Sequence, residues 1–219
     1  MNSPLIQLLV LAGIAIFLIL RLRGVLGTRE GYEKPSVSRP DSDRRSKPEF
    51  DVIEGGPDLD ITDHVSEDSA AAKALAEMKR SDPSFNVGEF LGGARGAYEM
   101  ILMAFEKGDL DTIVPFISED VYEAFAGVVD ERQRKGLTIE ANFIGISDMT
   151  LAHAEFDTNT KEGDISVRFK SEMTSVVRDN AGDIIEGSPT EVKRQKDTWT
   201  FSRRMDSGDP NWKLVATGE

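Results

Sequence analysis

From Leu5 to Leu20 the chain is uncharged and apolar, interrupted only by Gln7, and the run closes on Arg21-Leu22-Arg23 with no basic residue before it. As a helix, these 16 residues rise about 24 Å. That is short of a ~30 Å hydrocarbon core. Continuing to Leu26, with Arg21 and Arg23 snorkelling to the headgroups, gives 22 residues and about 33 Å. A cleaved secretory signal would carry its charges ahead of the apolar run and a small-x-small site behind it. The order here is reversed. The pattern predicts a retained transmembrane anchor over residues 1–27, with Leu5, Leu11, Phe17 and Leu20 in the bilayer and Arg21 and Arg23 at its surface. Arg29 and Lys34 add to the basic flank, so the positive-inside bias puts the N-terminus outside and the rest of the chain in the cytoplasm.

Charge divides the remainder. Residues 21–50 carry 8 Lys/Arg and 5 Asp/Glu, a net of +3, which leaves −16 for residues 51–219 against −13 for the chain of 219. A basic juxtamembrane stretch suits anionic lipid, at about 1 kcal/mol per well-placed cation. A domain at −16 is repelled by phosphate backbones, so nucleic acid is not an expected partner. The chain has no cysteine, which excludes disulfides, thiolate metal sites and cysteine nucleophiles.

Residues 28–65 hold four of the nine prolines (Pro35, Pro40, Pro48, Pro57), Gly55-Gly56 and mixed charge. This composition predicts a disordered linker with an r.m.s. span of about 34 Å. Residues 66–83 read as a peripheral amphipathic helix capped by Ser66, with Ala70, Ala71, Ala74, Leu75 and Met78 on a thin apolar face.

The strongest helical pattern follows. Asn86-x-x-Glu89 resembles a capping box, Phe90, Ala94, Ala97, Tyr98, Ile101, Leu102 and Phe105 recur at helical spacing, and Gly108 ends the run. Gly92, Gly93 and Gly96 each cost about 1 kcal/mol of helix propensity. Such a concentration predicts that a sheet, a helix or a ligand approaches this surface closely. A short segment stops near Pro115, and Ser118 caps another helix that ends before Gly136.

Beyond Leu137 the period falls from 3.6 to 2. Ile165, Val167, Phe169, Met173 and Val177 alternate with charged residues, and Asn180-Ala-Gly-Asp183 marks a turn. Between Ile139 and Phe156 the apolar phase slips near Gly145 and again near Ser147-Asp148, as β-bulges would make it do. Helices followed by long strands in hairpin order predict an α+β fold, helices packed on a bent four-stranded antiparallel sheet. A pocket between helix and sheet would be lined by Tyr98, Leu102, Phe105, Phe125, Trp199 and Phe201. Asp209-Pro210 is expected to set a type I turn that brings Trp212 across from the strand carrying Trp199 and Phe201. Arg203, on the face of Trp199 and Phe201, is expected to snorkel to the rim or to pair with Asp206 or Asp209; the alternative is a cation at the pocket mouth for a lipid phosphate or a carboxylate.

Trp199-Thr-Phe201-Ser-Arg203-Arg204 followed by Asp209-Pro210-Asn211-Trp212-Lys213-Leu214 resembles the terminal hairpin of the Tim44-like domain family. Phe90-x-x-Gly93-Ala94, Ala97-Tyr98, Ile101-Leu102, Gly108-Asp109 and Ser118-x-Asp120-Val121-Tyr122 are similar to the same pattern, as is Arg21-Leu22-Arg23 after the apolar run. The resemblance spans about residues 86–217 and implies a cystatin/NTF2-like cone over residues 84–219. It also implies an adaptor or tether at the bacterial inner membrane, with membrane proteins, translocase or chaperone components and phospholipid as partners. In the mitochondrial relative the chaperone-recruiting function involves an N-terminal region that this chain replaces with an anchor and a linker.

No phosphate loop, nucleophile elbow or metal-ligand spacing occurs. Of two histidines, His64 falls in the linker and His153 on a strand beside Leu151 and Glu155. Neither catalysis nor a cofactor is expected. A ribosome tether, the remaining reading, is disfavoured by the acidic balance.

Overall fold

The structure, a computed structural model, describes residues 58–218. The expected anchor and most of the expected linker lie outside them. No helix among the described residues is long and apolar enough to cross a membrane.

Four α-helices precede the sheet: α1 Leu59–Thr62, α2 Ala70–Ser81, α3 Val87–Lys107 and α4 Glu119–Arg134, with a 3-10 helix at Asp111–Phe116 between the last two. The position of α1 corrects the expected linker boundary at Val65. Ile61 is buried, and the Asp60 carboxylate accepts hydrogen bonds from Val87 N–H at 2.7 Å and Gly88 N–H at 2.9 Å. Lys79 Nζ lies 2.7 Å from both Asp58 and Asp60. One carboxylate thus satisfies two orphan donors at the start of α3 and ties α2 to the same point.

The cap of α2 is Ser69 and not Ser66. Ser69 Oγ accepts from Ala72 N–H at 3.0 Å, while Ser66 gives only its carbonyl, to Ser69 N–H. The thin apolar face is nonetheless deeply seated: Leu75 and Met78 are fully buried. A Cβ on Gly163 would come within 3.0 Å of Met78 Cε, so the helix lies close on the strand there. The caps of α3 and α4 are those expected, with Asn86 Oδ1 accepting from Glu89 N–H at 2.8 Å and Ser118 Oγ from Val121 N–H at 3.3 Å. Gly108 ends α3 in the left-handed region, φ 72°.

The sheet is an antiparallel meander in the order β1-β2-β3-β4, comprising Thr138–Phe156, Glu162–Arg178, Ile184–Arg204 and Lys213–Gly218. The register of β1 with β2 slips at Phe143/Gly145 and Ile146/Asp148, the two places where the apolar phase breaks, and again at Leu151/His153. On β2 the alternation holds through Met173. Val176 is then buried in place of the expected Val177, where the pairing with β3 shifts between Met173 and Ser175. Near that shift Gly187 adopts φ 78°, and a Cβ there would stand 2.0 Å from Ser175 O.

The core forms where α3 crosses the sheet. Tyr98 stacks on Phe169 with ring centroids 4.3 Å apart and lies 4.6 Å from Trp199. Its hydroxyl donates to Asp197 Oδ2 at 2.5 Å and lies 2.8 Å from Ser171 Oγ. Burial, with Asp197 as partner, holds the phenol well above its ordinary range, so it stays protonated.

Candidate binding groove

The expected helix-sheet pocket is filled by its own lining. Tyr98, Leu102, Trp199 and Phe201 are 0, 7, 4 and 2% exposed, and the aromatic rings among them pack on one another and on Phe169. Phe105 and Phe125 meet in a separate half-buried pair, ring centroids 4.5 Å apart, with the Arg132 guanidinium 4.5 Å above the Phe105 ring. Glu106 pairs with Arg132 at 3.8 Å beside this cluster. Burial raises its carboxyl above the usual carboxylate range, against the pull of Arg132 and Lys193.

Open volume lies instead along the N-terminal half of α3, in a groove of about 710 Å³. Its floor is the glycine-rich stretch, and its walls are Phe85 and Phe90, Phe116 and Met100, and the Pro210–Trp212 loop, with Phe201 and Arg203 at depth. The glycines were expected to mark close approach of another element, yet a Cβ added to Gly92, Gly93 or Gly96 would meet nothing within 4 Å. Among the described residues nothing covers the surface they flatten. Of the seven residues expected to line a pocket, the groove includes Phe201 and Arg203.

Local sequence explains the walls. Asp209 Oδ1 accepts from the backbone and side-chain amides of Asn211, at 2.9 and 2.7 Å, closing an Asx turn in the β3–β4 connection. Strand β4 begins only at Lys213, paired with Ser202, and Thr217 is the residue opposite Trp199. Trp212 therefore does not lie across from Trp199. It turns toward α3, its ring 4.6 Å from Phe90 and 5.7 Å from Phe85.

Arg203 is the polar feature of the groove. Its side chain is 8% exposed, Nη2 donates to Asp82 Oδ2 at 2.5 Å, and the guanidinium carbon lies 5.2 Å from the Trp212 ring. The hydroxyl and backbone N–H of Ser84, with Arg203 beside them, hold the Asp82 carboxyl below the usual carboxylate range. Arg203 Nε, buried, has no hydrogen-bond partner among the described residues. A buried charge-bearing donor left unmade is costly.

A second hollow, of about 720 Å³, opens near the β1–β2 turn and is lined by Ala70, Ala74, His153, Glu155, Asp157 and Glu162 among others. His153 Nε2 lies 2.9 Å from Glu155 Oε1, and both side chains are exposed. Among the described residues no cluster of three or more His, Cys, Asp or Glu side chains is placed to hold a metal ion.

Comparison with known proteins agrees with the terminal hairpin and the α3 pattern. Over 148 residues the chain is 26% identical to the human mitochondrial import inner membrane translocase subunit TIM44, covering 66% of this chain and 32% of that one. Identity to TIM44-1 of Arabidopsis thaliana is 21% over 161 residues, 71% and 34% of the two chains. The chain thus spans about a third of the length of these relatives. The intermembrane space region of the chloroplast protein ARC6 superposes at a TM-score of 0.41 with 10% identity, covering 58% of this chain and 94% of that one. The Tim44-like domain matches residues 71–219, well over half the sequence, and the chain belongs to the Tim44-like domain family.

Proposed function

We propose that the protein is a non-enzymatic adaptor of the inner membrane, anchored through residues 1–27, whose domain binds components of protein translocation or membrane-protein handling at the cytoplasmic face. The observation that carries this reading is the groove: a glycine floor open to solvent, aromatic walls and one buried cation, on a domain whose relatives include subunits named for the import translocase. Such a site offers apolar burial and one cation, the ingredients of recognition without chemistry. The tether supplies effective concentration. Even a weak groove suffices when its partners lie in the same membrane.

A second reading has a specific observation in its favour. An amphiphile such as a phospholipid would set its chains on the glycine floor and its phosphate beside the Arg203 guanidinium, which lines the groove. One experiment separates the two. The full chain and its Gly96→Trp variant are used to capture partners from solubilised membranes, with bound lipid read by native mass spectrometry. The adaptor reading expects translocase or chaperone components with the native chain and their loss with the variant. Phospholipid alone on the native chain supports the amphiphile reading, and an unchanged catch with Gly96→Trp removes the groove from the function.

A further inference from the structure

The sheet is open along part of its β3 side. Strand β4 covers β3 only from Thr198 to Ser202, and no described strand lies on the outer side of Lys193–Asp197. This stretch is regular: it pairs with β2 without a break, from Lys193 opposite Met173 to Asp197 opposite Phe169. Just before it the register jumps to Ser188 opposite Ser175, where Ser188 Oγ accepts from Thr190 and Glu191 N–H, both at 3.3 Å. In an antiparallel strand, successive residues direct their N–H and C=O groups to opposite neighbours. Among the described residues, Lys193–Asp197 therefore holds out strand donors and acceptors that no neighbouring strand takes up, framed by β4 at one end and by the Ser188 turn at the other. Such an edge is a template for an added strand.

Side chains decide which strand fits. On the face shared with the core, Asp197 accepts from the Tyr98 hydroxyl and Lys193 acts on Glu106, so both charges are answered within the fold. On the opposite face Arg168, Lys170, Arg194 and Lys196 gather, all exposed. Two carboxylates meet them there, Asp148 at 2.7 Å from Lys170 and Glu172 at 3.0 Å from Arg194. Lys170 and Lys196 stand directly opposite each other, an arrangement that costs stability. This local excess of cations sits on a domain of net −16. A second copy is a poor occupant, because antiparallel self-pairing sets these cations against their copies. A lipid surface would meet the cations and leave the strand edge unused. We propose that the edge binds an extended acidic segment of a partner protein by strand addition, backbone to backbone along Lys193–Asp197, with carboxylates at alternate positions reaching Arg194 and Lys196. None of these residues lines the groove, so this is a second contact surface on the domain.

The probe is a fluorescent peptide of about six residues, an ordinary strand length, alternating threonine and glutamate. It is titrated into the full chain in detergent and followed by anisotropy. Saturable binding with a Kd below about 1 mM is expected, with amide hydrogen exchange slowed at residues 193–197. The same peptide N-methylated on its backbone nitrogens keeps every charge and loses every donor, and should bind about tenfold more weakly. Equal binding by the methylated peptide would reduce the site to a charged patch open to any anionic surface, lipid included, and overturns the proposal. Lys196→Glu removes the opposition to Lys170, so it should not lower the unfolding midpoint, yet it should weaken the glutamate peptide about tenfold and admit a threonine–lysine peptide in its place. A folded Lys196→Glu variant that binds the glutamate peptide as tightly as the native chain overturns the proposal. Failure of the glutamate peptide to saturate does so as well, as does protection that appears along the groove and not at 193–197. Binding should be unchanged in Gly96→Trp, which separates this test from that of the groove, and its loss there would assign the peptide to the groove and overturn the edge.

Discussion

Helix α3 presents two surfaces a few residues apart that behave oppositely in the fold. On one, Tyr98, Ile101 and Leu102 sink into the core with Phe169 and Trp199 and leave no room. On the other, Gly92, Gly93 and Gly96 face open space between aromatic walls. The difference teaches where a binding surface comes from in a small α+β domain. Large side chains pointing inward fill whatever space the sheet's curvature makes, at crystal-like density. Small side chains pointing outward leave a trough that only another molecule, or another part of the chain, can fill.

Matched substitutions of the two tryptophans test this contrast most severely. Trp199 is 4% exposed and surrounded by Tyr98, Phe169 and Phe201, so Trp199→Ala is expected to destabilise the domain by about 3–5 kcal/mol. Trp212 stands in the groove wall, only partly covered, and Trp212→Ala should cost about 1–2 kcal/mol. Denaturant unfolding of the full chain measures both. Equal losses would mean that the groove wall is core and that the two surfaces are not distinct.

Next in size is the hydroxyl of Tyr98. Tyr98→Phe keeps the ring in place and removes the bonds to Ser171 and Asp197, at an expected cost of about 1.5–3 kcal/mol for a buried hydrogen bond to a charged group. A change below about 0.5 kcal/mol, well under the range for such a bond, would show that the ring alone holds the filled side together.

At the start of α3, Asp60→Ala removes the acceptor of two helix-start N–H groups and should cost about 1–2 kcal/mol, as loss of a cap does. The pH dependence has a definite sign. Burial alone would raise the Asp60 carboxyl, but Lys79 and the Val87 and Gly88 N–H groups outweigh it and hold it below the ordinary range. A carboxyl lowered by folding contributes stability above its unfolded value, near 4, and loses it as pH falls through the folded one. Unfolding followed from about pH 6 to about pH 2, a window that brackets this loss, should therefore show a shallower acid loss for Asp60→Ala than for the native chain. A steeper loss would contradict the assignment of Asp60 as the clamp.

The filled side was legible in the sequence and the open side was not, for a physical reason. Burial leaves a periodic signature, so the α3 face, the β2 alternation through Met173 and two of the three β1 bulges could be read from apolar phase alone. A vacancy leaves no such signature. The glycines at 92, 93 and 96 signalled an unusual surface, but sequence cannot say whether a glycine admits a neighbour already in the chain, as Gly163 admits Met78, or leaves room for one outside it. The misplaced Trp212 has a similar cause. Strand parity across a hairpin depends on where pairing starts, and the Asx turn at Asp209 delays it to Lys213. The clamp at Asp60 was missed because its partners are 27 and 28 positions away, beyond any local pattern.

The glycines supply the smallest effect and the sharpest separation of stability from function. Within a helix, glycine is less favourable than alanine by about 0.5–1 kcal/mol, chiefly through backbone entropy in the unfolded chain. Because a Cβ at Gly92, Gly93 or Gly96 meets nothing, each change to alanine should stabilise the domain by about that amount, raising the melting temperature by a few degrees. Gly163→Ala, where Met78 stands 3.0 Å from the added carbon, has no such free space and should gain less or lose. If the groove is a binding surface, the Gly92, Gly93 and Gly96 alanine variants are more stable yet bind less, because each methyl group raises the floor that an occupant must reach. Stabilisation with binding undiminished would show the glycines to be incidental, whereas destabilisation would show that α3 is already in contact there and that the two surfaces of the helix are one.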